Sequence, residues 1–133
     1  MPAPFEVKAA LEWNRTTFQV TPGKWRFRAT GTWYDAVIPC SADGYAAPLF
    51  YATNVLPRIR DDGRYFRLMG RIVAGADPQP PAQDDPAATF VIGTDSGVLT
   101  LATAGTLFVF ANDHKGMYWN NWGSVFLTAE SVG

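Results

Sequence analysis

The sequence predicts an all-β fold, a β-sandwich of jelly-roll type spanning residues 1–133 as a single domain. Three observations predict it. Apolar residues recur with a period of two in several segments, turn residues punctuate the chain about every eight to twelve positions, and no segment carries an apolar stripe at i, i+3, i+4 and i+7.

Phe5, Val7, Ala9, Leu11 and Trp13 alternate with Glu6, Lys8, Ala10 and Glu12, which predicts one strand with one buried face. Pro22-Gly23 marks a turn. Trp25, Phe27 and Ala29 then alternate with Lys24, Arg26 and Arg28 as a second strand. Residues 41–48 and 54–63 hold Gly, Pro, Asn and Asp at loop density. Residues 65–73 read as a strand, with Phe66, Leu68 and Ile72 on a shared face. Residues 74–88 carry Pro78, Pro80, Pro81 and Pro86 with no apolar period. They read as a long surface loop, because too little chain lies on either side for two separate cores.

Residues 90–92, 98–102 and 107–111 are short apolar runs punctuated by Gly93, Gly97 and Gly105. The run at 107–111 is apolar on both faces, as a central strand covered on each side would be. Residues 124–130 alternate again, with Val125, Leu127 and Ala129 inward. Trp13, Trp25 and Trp33 fall on or beside strand patterns and read as core residues.

Net charge is −1 and the eleven basic residues are scattered, a pattern unlike that of an electrostatic nucleic-acid binder. Cys40 is the single cysteine, so no internal disulfide can form. Met1-Pro2-Ala3-Pro4-Phe5-Glu6 has neither a basic nor an apolar leader region, and no apolar run approaches the roughly 20 residues of a membrane span. The expectation is a cytoplasmic protein without membrane insertion, with release to the cell surface or exterior by a route needing no signal peptide left open. Without a secretory signal the glycosylation pattern Asn14-Arg15-Thr16 carries no weight.

The chemically informative stretch is Asn112-Asp113-His114-Lys115-Gly116-Met117-Tyr118-Trp119-Asn120-Asn121-Trp122-Gly123, between two expected strands. Asp113 offers a carboxylate, Asn120 and Asn121 offer amide carbonyls, and Gly116 permits a turn that exposes the Met117 carbonyl. Hard oxygen donors from one short loop are what Ca²⁺ accepts. Asp and Asn are also ordinary turn formers, so on these residues alone a long hairpin with no ligand is the favoured reading.

Residues 108–125 resemble the calcium-site region of the LecA-type (PA-IL-like) galactose-binding lectins. That family has there a hydrophobic strand, Asn-Asp, a tight turn, a Tyr, paired Asn, and Gly-Ser leading into the last strand. Pro22-Gly23, and Gly31 with Trp33, resemble its second strand and the following loop. The likeness is close over residues 105–128 and loose over most of the chain. It implies a galactose-binding-domain-like sandwich that binds Ca²⁺ through side-chain oxygens of Asp113, Asn120 and Asn121 and the carbonyl of Met117. A further carbonyl is implied from Asp35, with Tyr34 as the alternative. About five protein ligands leave about two places for vicinal hydroxyls of a galactose-type glycan. The implied sugar contacts are Asp113, His114, Asn120 and Trp119, and the implied assembly is a homo-oligomer, a tetramer in the family. The sequence departs from the family in two places. The family's mid-chain His is missing, the single His being His114, and Trp119 and Trp122 replace small residues.

The function expected is therefore non-enzymatic: a calcium-dependent lectin. The alternative is a sandwich that has lost metal and sugar binding and serves as an interaction or structural protein. Asp61-Asp62 and Asp84-Asp85 can be read as acid–base pairs, but adjacent loop aspartates ordinarily face water. One His and one Cys leave little material for a nucleophilic triad. With Asp113 as the one carboxylate in the shell, the expected calcium affinity is weak, roughly 10⁻⁵ to 10⁻³ M.

Overall fold

Period-two alternation becomes strand pairing in two antiparallel sheets that pack face to face. The computed structural model describes residues 3–46, 64–83, 85–113 and 118–133. In the first sheet β1 (Phe5–Lys8) pairs with β11 (Asn121–Ser131), which pairs with β3 (Gly23–Asp35). The far edge of β3 is shared by β4 (Ile38–Cys40) and β9 (Asp95–Leu101). The second sheet runs β2 (Asn14–Val20), β10 (Gly105–Ala111), β7 (Leu68–Val73), β8 (Thr89–Val91). A small ribbon joins β5 (Tyr45–Ala46) to β6 (Arg64–Tyr65). The chain therefore crosses repeatedly from one sheet to the other, and a β-sandwich results.

The spine of the first sheet is the β3–β11 pair, in unbroken register from Asn121↔Asp35 to Ser131↔Trp25. Its inner rows, Phe27, Ala29 and Trp33 with Val125 and Leu127, meet Leu68, Leu107 and Val109 of the second sheet in one core cluster. Each large apolar side chain so buried contributes about 1.5–3 kcal/mol. Trp33 is fully buried, and Trp13 and Trp25 pack half-buried against the core.

As its composition predicts, β10 is covered on both faces. Leu107, Val109 and Ala111 face the inter-sheet core. Phe108 and Phe110 turn the other way, with ring centroids 6.3 and 4.8 Å from Trp13. The proline-rich loop is tied to the same sheet by the Arg15–Asp77 pair at 3.0 Å and by an Arg71 N–H donated to Gln83 O, and its Pro78 is buried.

Three expectations change in detail. The alternation over Phe5 to Trp13 is not one strand: β1 ends at Lys8, Leu11 N–H turns back to Lys8 O, and Leu11 is left exposed. Asn14 causes the break. Its buried side chain accepts from Lys8 N–H and donates to Lys8 O and Val109 O, so the amide clasps β1 to the start of β2 and to β10. This burial also removes Asn14 as an accessible glycan acceptor. Within 65–73 the strand is interrupted at Phe66, whose φ is +65°, although Phe66, Leu68 and Ile72 do share the core. Within 41–48 the described part is not all loop, since Tyr45–Ala46 forms β5. The expected loop at 54–63 lies outside the described residues. Among the described residues no helix is long and apolar enough to cross a membrane.

Candidate functional site

The candidate site lies where the chain leaves β10 in one sheet and enters β11 in the other. Asn112 and Asp113 follow β10, and a single 3₁₀ turn, Tyr118–Asn120, precedes β11. Asn112, Asp113, Tyr118 and Asn121 are all buried. Polar side chains are buried this completely only where the fold supplies partners, and several are visible.

Both ends of the connection are braced. Asn112 O accepts from Phe66 N–H at 2.8 Å, and Asn112 N–H donates to Arg67 O at 2.9 Å. The Tyr118 hydroxyl donates to Ala111 O. On the β11 side, Asn120 O accepts from Ala36 N–H at 3.1 Å, and the Trp122 indole donates to Ala36 O at 2.7 Å. Ala36 and Phe66 are the non-glycine residues with positive φ among the described residues, at +54° and +65°. Each strained backbone therefore donates its N–H to a carbonyl that flanks the site. Strain held in place by surrounding structure is a feature that concentrates at functional sites.

Asn121 carries the decisive geometry. Its Nδ2 donates to Ala9 O at 3.2 Å and to Asp113 Oδ2 at 3.0 Å. Both partners can only accept, so they fix which end of the amide faces which way. The remaining oxygen, Asn121 Oδ1, is buried and has no hydrogen-bond partner among the described residues, and the same is true of Asn120 Oδ1. The 3₁₀ turn ends at Asn120, immediately before Asn121 opens β11, and both amide oxygens are withdrawn from water. An orphaned buried acceptor costs about 1–3 kcal/mol. One of the two sits on an amide bonded to the buried Asp113 carboxylate, and hard oxygens of this kind suit a hard cation.

Of the residues singled out in the sequence, Asp113 and Asn121 are hydrogen-bonded to each other here, Asn120 precedes Asn121 in the chain, and Asp35 stands opposite Asn121 in the β3–β11 register. The Asp35 carboxylate accepts from the Tyr45 hydroxyl. Tyr34, the alternative carbonyl donor, stacks its ring on Trp122 with centroids 3.8 Å apart and planes 2° from parallel. Trp119, next to Asn120 in the chain, is 79 % exposed, so it does not pack in the core. His114 and Met117 lie outside the described residues, as do Asp61, Asp62 and Asp84. The Tyr45 contact was not foreseen from sequence. Its one sequence signal is an aromatic beside Gly44 in an expected loop, which does not say which strand it will meet.

Among the described residues no three His, Cys, Asp or Glu side chains cluster, so the zinc-type combination of soft and acidic ligands is not formed by them. Elsewhere, a groove of about 250 Å³ opens between the β8 and β9 edges and is lined by Ile72, Thr89, Phe90, Thr100 and Leu101, with no ionisable side chain. The oxygens of Asp113, Asn120 and Asn121 fit calcium in kind: one carboxylate and two amide carbonyls, all hard donors. Comparison with protein-family models and with curated proteins finds no match.

Proposed function

We propose that this chain is a non-enzymatic, calcium-dependent carbohydrate-binding protein whose site is the β10–β11 connection. The observation that carries the reading is the pair of buried oxygens, Asn120 Oδ1 and Asn121 Oδ1, that lack a hydrogen-bond partner among the described residues, the second on an amide bonded to the buried Asp113 carboxylate. In this reading Asp113, Asn120 and Asn121 hold Ca²⁺, with the Met117 carbonyl and a donor from Asp35 completing the protein's share. Calcium supplies the Lewis-acidic centre to which two vicinal sugar hydroxyls bind. The chain's own residues do the rest. The braced backbone holds the oxygens in place, so little ordering remains to oppose binding. The exposed Trp119 offers a ring face for the apolar side of a sugar, and His114 offers a hydrogen bond to a hydroxyl. A galactose-type terminal residue is the substrate class proposed. A glycan array read with calcium and again with chelator tests the reading. Calcium-dependent binding to a defined set of terminal sugars is expected, and identical, empty arrays in both conditions contradict it.

A second reading is favoured by one specific observation. The Tyr34–Trp122 stack lies on the outer face of the first sheet with Trp122 54 % exposed, and Phe126 is 43 % exposed along the same strand. Such a strip suits contact with another protein surface, including a second copy of this chain. It is compatible with a multivalent lectin, in which several weak sites act together. It also suits an interaction module without metal. Light scattering with and without calcium separates these assemblies.

A further inference from the structure

We infer that Asp35 contributes its side-chain carboxylate to the cation site as a second anionic ligand, held in position by the Tyr45 hydroxyl; the inference rests on the calcium reading above. The register places Asp35 directly opposite Asn121. Because Ala36 N–H donates to Asn120 O, residues 36 and 120 are a hydrogen-bonded pair. Along an antiparallel ladder such pairs alternate, so Asp35 and Asn121 are a non-hydrogen-bonded pair. In that geometry the Cα atoms approach to about 4.5 Å and side chains on a shared face come closest.

The shared face is the inner one. On β3, Ala29 and Trp33 are buried with the same parity as Asp35. On β11, Val125 and Leu127 are buried with the same parity as Asn121. Asn121 is itself 4 % exposed, and its Oδ1 lacks a partner among the described residues. The Asp35 carboxylate thus extends from β3 beside a buried, unsatisfied oxygen on β11.

The backbone of Asp35 points elsewhere. In a non-hydrogen-bonded pair the N–H and C=O turn away from the partner strand, here toward β4, where Asp35 pairs with Ile38 across the Ala36-Val37 turn. The side chain is therefore better placed for the cation than the carbonyl. Tyr45 packs against the core, and its hydroxyl holds Oδ2 of Asp35, so in this inference Oδ1 is the oxygen that meets the cation. A carboxylate oriented by an outer hydrogen bond is the usual way in which a protein stiffens a metal ligand. Two carboxylates and two amide oxygens also neutralise a divalent cation, which one carboxylate does not.

The test uses the full chain and calcium alone. Calorimetric titrations of wild type, Asp35→Asn and Tyr45→Phe are compared, with Tb³⁺ luminescence lifetimes in H₂O and D₂O counting the waters on the bound ion. Asp35→Asn should weaken calcium binding at least about tenfold, and Tyr45→Phe by several-fold. Asp35→Ala should add about one water to the bound ion. Should the Asp35 variants not fold in chelator, Tyr45→Phe decides, and wild-type affinity in that variant overturns the inference. Asp35→Asn matching a calcium-binding wild type overturns the role of Asp35 alone. A wild type that takes up no calcium removes the reading beneath it.

Discussion

Asp113 and Asn121 are hydrogen-bonded to each other at 3.0 Å across the β10–β11 connection, and that bond is what turns the Asn121 oxygen away from every donor among the described residues. One contact thus does two things. It ties the last core strand to the loop, and it leaves a buried oxygen without a hydrogen-bond partner among the described residues.

Exchanging the amide for an acid separates these two effects. Asn121→Asp places a carboxylate against Asp113 and removes the donor that served Ala9 O and Asp113. The metal-free protein should lose about 1–3 kcal/mol of stability, the cost of unsatisfied and repelling buried groups. Calcium should then restore more than it adds to wild type. Urea unfolding with chelator and with saturating calcium measures both numbers.

Asn14 should matter for stability and not for metal. Its amide makes three hydrogen bonds, to Lys8 N, Lys8 O and Val109 O, in a buried position. Asn14→Ala orphans these groups and should cost about 2–3 kcal/mol, at about 1 kcal/mol for each bond. Calcium affinity should stay at the wild-type value, as calorimetry can check.

The two exposed tryptophans should part company. Trp119 is 79 % exposed, so Trp119→Ala should change stability by no more than about 0.5 kcal/mol while weakening sugar binding. Trp122 stacks on Tyr34 and donates to Ala36 O. Trp122→Ala should cost about 1–2 kcal/mol, because it loses both the stack and the brace on Ala36. Thermal melts paired with a sugar titration distinguish the two roles.

The acid limb of stability should carry a signature of Asp95. Hydrogen bonds from Arg26, then from Gly97 N–H, hold the Asp95 carboxyl well below the usual carboxylate range. A folded-state value below the unfolded one means that the contribution is fully present above the ordinary value, about 4, and is lost as pH falls through the folded value. The gap in melting temperature between wild type and Asp95→Asn should therefore be open at pH 6, begin to close below about pH 4, and shrink in high salt because the group is exposed.

The strands were legible because burial of one face writes itself into alternate residues, as at Phe27, Ala29, Val125 and Leu127. Residues 107–111 announced a doubly covered strand because no polar face was left to expose. The break after Lys8 was not legible. Ala9, Leu11 and Trp13 keep the period of two, and nothing local says that Asn14 will reach back to cap the strand. The site divides in the same way. Asp113, Asn120 and Asn121 were visible as a spacing that resembles a known calcium loop. The pairing of Asp35 with Asn121 depends on register between strands more than eighty residues apart, and the Tyr45 hydroxyl contact and the orphaned oxygens on tertiary packing, neither of which local pattern encodes.

The most direct measurement is a calcium titration of wild type and Asp113→Ala, followed by calorimetry and by melting temperature in calcium and in chelator. Saturable binding of about one calcium per chain is expected in wild type. Melting should rise by an amount that corresponds to about 2.7 kcal/mol at a hundredfold excess over Kd. Asp113→Ala should keep its β-sheet circular dichroism and show neither effect. No binding heat in wild type, with a melting temperature unmoved by millimolar calcium or by chelator, would contradict the account.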